Sequence, residues 1–258
     1  MNRYSRLQLI LKISGPVGLI RFIVTRLLGQ SDLMRPASTV DIRRSGLVFS
    51  NDVEDFVLSL VGDLGNQLTD DLMLEALEVN KTVENRAKAL ENEFPINWNS
   101  EGRLRLALYL IVRILRPALV VETGTANGSS AAAICAGLAA NDFGKLISVD
   151  VKNSSAVLVG EESRKFLELK KTQGTSLELE EICKNGSDAN KGIKIFLHDS
   201  DHSYFGQYED YTLAAREGFN LILSDDIDAS LAFTDFSGHA GKALFDTRKI
   251  IGGVKFPF

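Results

Sequence analysis

A short segment in the middle of the chain combines a glycine turn with a carboxylate at the spacing of a nucleoside-binding site. The apolar run Ala118–Val121 predicts a buried strand, and a turn containing Gly124 and Gly128 follows it. Gly124 has access to backbone conformations closed to other residues, and Gly128 lets a ligand approach the main chain. A second strand ends in Asp150, about 20 residues further on, where a carboxylate can bind two ribose hydroxyls. Parallel strands place such groups in one crevice at their carboxyl ends.

The dinucleotide fingerprint Gly-x-Gly-x-x-Gly is the nearest alternative interpretation of this turn. Its second and third glycine positions are held here by Ala126 and Ser129. Glu122, two residues before the first glycine, is not part of that fingerprint either. The pattern therefore disfavours a nicotinamide-dependent oxidoreductase.

Two further acidic segments follow predicted strands later in the chain. Asp199 follows the fourth predicted strand, and Asp225 and Asp226 follow the fifth. Because parallel strands open onto one edge of the sheet, these carboxylates are expected to converge there. Close carboxylates repel one another unless a cation or bound protons relieve them, and an oxygen-rich site of this kind suits a hard divalent ion such as Mg²⁺ or Mn²⁺. The alternative is that these acids cap helices or open loops and bind no ligand.

His202 lies three residues after Asp199 and is a candidate for proton transfer. An imidazole has an unperturbed pKa of about 6.5, which suits a general base acting on a hydroxyl group. A lone histidine is more often a hydrogen-bonded structural group, and that interpretation stays open at this point. His198 falls inside a predicted strand and is expected to be packed in the core.

The segment from Asn99 to Ile227 resembles class I S-adenosylmethionine-dependent methyltransferases. The similarity is carried by five motifs: Val121-Glu-Thr-Gly-Thr-Ala-Asn-Gly-Ser-Ser130, Ser148-Val-Asp150, Gly174-Thr-Ser176, Asp199-Ser-Asp-His-Ser-Tyr204 and Asp225-Asp-Ile227. Within that class the segment resembles the macrocin and mycinamicin sugar O-methyltransferases, and more distantly catechol O-methyltransferase.

The resemblance implies a role for each matching residue. The methionine end of S-adenosylmethionine would contact residues of the first motif: Glu122, Gly124, Thr125, Ala126, Gly128 and Ser129. Asp150 would bind the ribose, and Gly174 and Ser176 would lie beside the adenine. Mg²⁺ or Mn²⁺ would be bound by three carboxylates: Asp199, which also adjoins the cofactor, Asp225 and Asp226. His202 would be the general base.

Strands and helices are predicted to alternate after residue 99, which is typical of an α/β fold with a parallel sheet covered on both faces. The resemblance implies a Rossmann-like, mostly parallel seven-stranded sheet closed by an antiparallel strand. Gly252-Gly253 is a candidate turn for a terminal hairpin. We divide the chain into an N-terminal helical extension, residues 1–95, and a methyltransferase domain, residues 96–258.

The predicted extension has an uneven charge distribution. Residues 1–30 contain five basic side chains and no acidic one, whereas residues 52–93, predicted to be helical, contain eleven acids. Basic residues interrupt the apolar stretch of the arm, which argues against a membrane-spanning helix. The basic arm is therefore expected to pack on its own domain, on a sister subunit, or peripherally on an anionic membrane surface.

Composition limits the partners and the location of the 258-residue chain. A net charge of −5 gives no indication of nucleic acid binding. Cys135 and Cys183 lack metal-type spacing and fit a reducing compartment, so a cytoplasmic location is expected, including the inner membrane surface.

The expected reaction is O-methylation of a small-molecule or glycan acceptor, such as a sugar or a natural product. The alternatives are a metal-independent methyltransferase and a non-catalytic nucleoside-binding scaffold.

Overall fold

The computed structural model of the protein describes residues 46–174, 176–185, 192–246 and 249–256. The basic arm at residues 1–30 lies outside the described residues, so its packing stays a prediction. None of the helices in the described ranges has the length and apolar character needed to cross a bilayer.

Eight strands and seven α-helices occur within the described residues. The strands are β1 (Val48–Ser50), β2 (Leu119–Thr123), β3 (Lys145–Asp150), β4 (Leu167–Lys171), β5 (Lys194–His198), β6 (Leu221–Ser224), β7 (Lys242–Phe245) and β8 (Ile250–Lys255). The helices are α1 (Val53–Val61), α2 (Asp70–Ala89), α3 (Gly102–Leu115), α4 (Ser129–Asn141), α5 (Ser176–Asn185), α6 (Tyr204–Arg216) and α7 (Ala232–Ser237).

All eight strands form one sheet in the order β1-β7-β8-β6-β5-β2-β3-β4. The strands from β2 to β6 pair in parallel, whereas β8 is antiparallel to both β6 and β7. The predicted Rossmann-like α/β fold is confirmed. The described sheet has one strand more than predicted, because β1 adds to the edge in parallel with β7. The carboxyl ends of β2 to β6 consequently lie along one edge of the sheet.

Apolar side chains cover both faces of the sheet. Successive side chains of a strand point to opposite faces, so β2 directs Val120 to one face and Val121 to the other. Val120 packs in the core formed with α1, α2, α3 and α4. Val121 packs in the core formed with α5, α6 and α7. The strands that carry the polar site are therefore held rigidly between two helical layers.

The described part of the predicted N-terminal extension packs directly on the sheet. β1 pairs with β7, and α1 buries Phe56 and Leu60 in the core. The residues before position 95 thus contribute a strand as well as helices. The domain boundary at residue 95 itself stays a prediction.

The prediction that Gly252-Gly253 forms a hairpin turn is wrong, because both glycines lie inside β8. A β-carbon on Gly252 would lie 2.7 Å from the Phe233 ring, and one on Gly253 would lie 2.8 Å from Leu60. The two glycines therefore make room for α7 on one face of the strand and for α1 on the other.

Candidate active site

The carboxyl ends of β2 to β6 surround a crevice of about 1000 Å³. Its lining includes residues from the turn after β2, the end of β3 and the loop after β5: Gly124, Ala126, Asp150, Asp199 and His202. The strand order reverses between β2 and β5, and open α/β sheets bind their ligands at such a point. The volume is at the upper end for small-molecule sites, so the crevice has room for more than one small ligand.

The turn after β2 depends on two glycines with positive φ, Gly124 at +89° and Gly128 at +81°. A β-carbon on Gly124 would lie 1.7 Å from the carbonyl oxygen of Asp199, and one on Gly128 would lie 2.7 Å from Ala156. Side chains are therefore excluded at both positions by the protein's own backbone and loops. Gly128 was expected to admit a ligand to the main chain, but Ala156 lies against it.

Thr125 and Ser129, which were expected to contact the cofactor, are buried beneath the turn. Thr125 Oγ1 lies 2.7 Å from Ser148 Oγ on β3, and Ser129 Oγ accepts a hydrogen bond of 3.0 Å from Ser100. Neither residue lines the crevice. Their hydroxyl groups instead fix the turn to β3 and to the segment before α3.

Glu122 also lies beneath the turn and is fully buried. Its carboxylate accepts a hydrogen bond of 2.5 Å from the Ser148 hydroxyl. Burial raises the pKa of Glu122 to about 7, although hydrogen bonds from Ser130 and Ser148 favour the charged form. The structure therefore places Glu122 as a support of the turn, away from the crevice surface where the resemblance implies a ligand contact.

Asp150 lines the crevice at the end of β3, as predicted, and its carboxylate is held in a fixed orientation. The backbone N–H of Ala126 donates to Oδ2 at 3.0 Å, and that of Lys152 donates to Oδ1 at 2.8 Å. Ala126 adopts a φ of +42°, which costs free energy for a residue other than glycine. Each carboxylate oxygen has a further lone pair, so Asp150 can still accept hydrogen bonds from ligand hydroxyls.

The segment after β4 reaches the same crevice. Gly174 lines it with a φ of +77°, next to Val151. Ser176 is the first residue of α5, and its side chain lies outside the described part of the structure. Gly174 is therefore brought to the crevice as predicted, while the contact expected of Ser176 stays a prediction.

The acids after β5 and β6 converge with His202 at one end of the crevice. His202 Nε2 lies 3.7 Å from Asp199 Oδ1 and 3.5 Å from Asp226 Oδ2. Asp225 lies directly behind them and is almost completely buried. Burial and the charge of Asp225 raise the pKa of Asp199 well above its ordinary value. Burial, followed by the neighbouring His198 ring, lowers the pKa of His202 to about 4.

The remaining histidine of this strand end is structural, as expected. His198 is fully buried, and its Nδ1 lies 2.8 Å from Asp210 Oδ2 on α6. Asp210 Oδ2 also accepts a hydrogen bond from Thr123 at 3.3 Å. The His198 ring packs edge-on against the His202 ring, with 5.6 Å between the two ring centroids.

Sequence reasoning missed Lys249, which lies at the acidic end of the crevice. Its Nζ is 3.0 Å from Asp225 Oδ2 and 2.9 Å from Asp226 Oδ2. Burial by itself lowers the pKa of Lys249, but the charges of Asp225 and Asp226 outweigh this effect and raise the pKa above its ordinary value. The sequence shows a lysine directly before the last apolar strand. Assigning that lysine to the site, however, requires knowing that β8 pairs with β6.

The described residues do not fit the divalent ion that the resemblance implies. No group of three or more histidine, cysteine, aspartate or glutamate side chains in these ranges is arranged to hold a metal ion. The Lys249 ammonium contacts the oxygen atoms of Asp225 and Asp226 that would be the ligands. The three carboxylates therefore converge as expected, but the positive charge beside them belongs to the Lys249 side chain.

A tryptophan at the mouth of the crevice was also missed. Trp98 is half exposed and lines the crevice next to Lys152, whose Nζ is 4.8 Å from the centre of its ring. The Phe94 ring stacks with the Trp98 ring, with 6.0 Å between their centroids. The available signal was the single tryptophan of the chain, located at the break before α3.

One family model matches part of the chain. Residues 121–217, from β2 to the end of α6, match a family model described as "Methyltransferase domain". No curated protein sequence matches the chain significantly. The matched segment contains the glycine turn, Asp150 and the loop with His202, which supports the predicted S-adenosylmethionine-dependent methyltransferase.

Solved structures similar to this chain include several O-methyltransferases. The enzyme from Bacillus cereus, in complex with S-adenosylhomocysteine, is 16% identical with a TM-score of 0.41, and the match covers 73% of this chain and 92% of that one. The enzyme TomG from Streptomyces achromogenes, in complex with S-adenosylmethionine, is 14% identical with a TM-score of 0.47, and the match covers 88% and 100%. A putative O-methyltransferase from Klebsiella pneumoniae is 15% identical with a TM-score of 0.42, covering 72% and 89%.

Proposed function

We propose that this chain is an S-adenosylmethionine-dependent O-methyltransferase that acts on a hydroxyl group of a small molecule. The observation that carries the proposal is the crevice at the switch between β2 and β5, with a fixed Asp150 carboxylate on one side and His202 on the other. The family match over residues 121–217 covers most of the residues that line it, from the end of β2 to α6.

In this proposal the nucleoside lies along the ends of β2, β3 and β4. Asp150 accepts hydrogen bonds from the ribose, and Gly174 lies beside the adenine. The tight turn at Gly124 and Ala126 borders the methionine part through its backbone. Glu122, Thr125 and Ser129 support this turn from beneath, since they are buried and hydrogen-bonded within the protein.

S-adenosylmethionine supplies a methyl group already activated by its sulfonium charge, so the protein must align the acceptor and remove its proton. His202 Nε2 takes the proton from the acceptor hydroxyl while the oxygen forms a bond to the methyl carbon. The carbon–sulfur bond breaks, and its electron pair stays on sulfur. The products are a methyl ether and S-adenosylhomocysteine, and His202 later releases its proton to water.

The environment of His202 supports this role. Its lowered pKa of about 4 leaves the imidazole neutral at pH 7, and only the neutral form accepts a proton. Although burial disfavours the imidazolium, the neighbouring carboxylate of Asp226 would stabilise it during the transfer. A sugar or natural-product hydroxyl is the acceptor that the motif resemblance favours, and it is part of the proposal.

The test is methyl transfer from S-adenosylmethionine carrying a labelled methyl group, with the full chain and a panel of sugar, phenol and natural-product alcohols. Label in an ether product that disappears in His202→Ala supports the proposal. S-adenosylhomocysteine binding without transfer to any acceptor would favour the non-catalytic scaffold. Binding of NAD in place of the adenosyl ligand would contradict the proposed class.

A further inference from the structure

The acidic end of the crevice holds a cation that belongs to the chain itself. Lys249 immediately precedes β8, which runs antiparallel to β6 with Gly252 opposite Ser224. Asp225 and Asp226 follow directly after β6. The antiparallel pairing therefore brings the start of β8 to the place where the two carboxylates leave β6.

The Lys249 ammonium joins both carboxylates in a largely buried arrangement. Nζ lies about equally far from Asp225 Oδ2, at 3.0 Å, and from Asp226 Oδ2, at 2.9 Å. The side chains of Lys249 and Asp225 are only 18% and 2% exposed. Solvent ions screen such a pair little, and breaking it would leave an uncompensated buried charge. The lysine is thus held in position by the folded chain.

A divalent ion would compete with Lys249 for the same oxygen atoms. Mg²⁺ binds oxygen ligands at about 2.0–2.1 Å in near-octahedral geometry. The Oδ2 atoms of Asp225 and Asp226 are already engaged by Nζ at the distance of an ion pair. A metal ion bound to them would have to displace the ammonium, because two cations at such short range repel each other strongly.

The ammonium is also placed to contact a ligand. An ammonium has three N–H donors, so contacts with Asp225 and Asp226 leave one for a further oxygen atom. Lys249, Asp226 and His202 all line the crevice. Asp226 Oδ2, which is paired with Lys249, lies 3.5 Å from His202 Nε2. A hydroxyl oxygen bound to the ammonium would therefore lie next to the imidazole.

We propose that Lys249 takes the place of a divalent metal ion: its ammonium fixes Asp225 and Asp226 and donates a hydrogen bond to the acceptor hydroxyl. This inference rests on the proposed function. The hydrogen bond stabilises the negative charge that develops on the acceptor oxygen as His202 removes the proton. Lys249 keeps its own protons throughout, so the reaction balances without a metal ion.

Metal binding provides a test that does not depend on turnover. Mn²⁺ is titrated into the full-length chain and followed by electron paramagnetic resonance. Lys249→Met is expected to bind Mn²⁺ at least about tenfold more tightly than the wild type, since it frees the Oδ2 atoms of Asp225 and Asp226. Lys165→Met is the matched control, because Lys165 is exposed and pairs with Asp142 outside the crevice. Adding Asp226→Asn to Lys249→Met is expected to remove the gain.

A second test measures turnover. Wild-type methyl transfer is expected to continue in excess chelator, and Lys249→Met is expected to lose about 10²-fold in rate with S-adenosylhomocysteine affinity retained. Tight Mn²⁺ binding by the wild type, or loss of turnover in chelator with recovery in Mg²⁺, would overturn the proposal. If Lys249→Met does not fold, Mn²⁺ binding by the wild type and wild-type turnover in chelator still test the proposal. A wild type that binds no S-adenosylhomocysteine refutes the proposed function instead, and the Mn²⁺ comparison still tests Lys249.

Discussion

Replacement of the buried Glu122 by glutamine is expected to change how stability depends on pH. Burial raises the pKa of Glu122 from an ordinary value of 4.5 to about 7. The unfolded chain therefore releases this proton near pH 4.5, while the folded chain keeps it until near pH 7. Between these values the folded state binds the additional proton, so the free energy of unfolding falls as pH rises. One pKa unit corresponds to about 1.4 kcal/mol, which gives a loss of roughly 2–3 kcal/mol between pH 5 and pH 8.

Glu122→Gln removes this titration and keeps an oxygen atom that can accept the Ser148 hydrogen bond. The free energy of unfolding of the variant should therefore fall by roughly 2–3 kcal/mol less than that of the wild type between pH 5 and pH 8. Urea unfolding at both pH values measures the difference, provided that each transition is two-state. Glu161→Gln is the control, because that side chain is almost fully exposed. Equal pH dependence in wild type and Glu122→Gln would refute the argument from burial.

Two further predictions concern the base and the N-terminal arm. His202→Ala should reduce the rate constant of methyl transfer by about 10²–10⁴ with little change in cofactor affinity, since proton removal acts in the transition state. Because the pKa of His202 is lowered to about 4, the wild-type rate should stay level from pH 8 to pH 6 and fall only in more acidic solution; a rate that falls by half near pH 6.5 would contradict this assignment. If residues 1–30 bind an anionic membrane surface, the full chain should float with anionic vesicles and detach at high salt, and if they join subunits their deletion should lower the mass in solution. A truncated chain unchanged in vesicle binding, mass and stability would leave the arm with neither role.

The order of strands and helices and one wall of the site could be predicted from the sequence. Strands and helices were predicted to alternate after residue 99, and the structure has this alternation from α3 to β6. The glycine turn and the strand-end carboxylate identified Gly124 and Asp150, because both signals are local in the chain. The loop after β5 likewise follows from its strand, so Asp199 and His202 could be assigned to the same edge.

The features that the sequence did not reveal depend on contacts between distant parts of the chain. The Gly252-Gly253 pair looks like a turn locally, but its glycines make room for α1 and α7 inside β8. Glu122 belongs to the glycine motif, but its place beneath the turn also depends on β3, because the Ser148 hydroxyl donates a hydrogen bond to its carboxylate. Lys249 approaches Asp225 only because β8 pairs with β6, and no local pattern encodes that pairing.

Titration calorimetry with S-adenosylhomocysteine tests the central claim most directly. The wild-type chain is expected to bind this ligand and not NAD, and Asp150→Ala is expected to weaken binding by about 1–3 kcal/mol through lost hydrogen bonds to the ribose. Glu161→Ala, which removes an exposed carboxylate outside the crevice, should bind like the wild type. No binding by the wild-type chain, or equal affinity in wild type and Asp150→Ala, would contradict the assignment of the crevice.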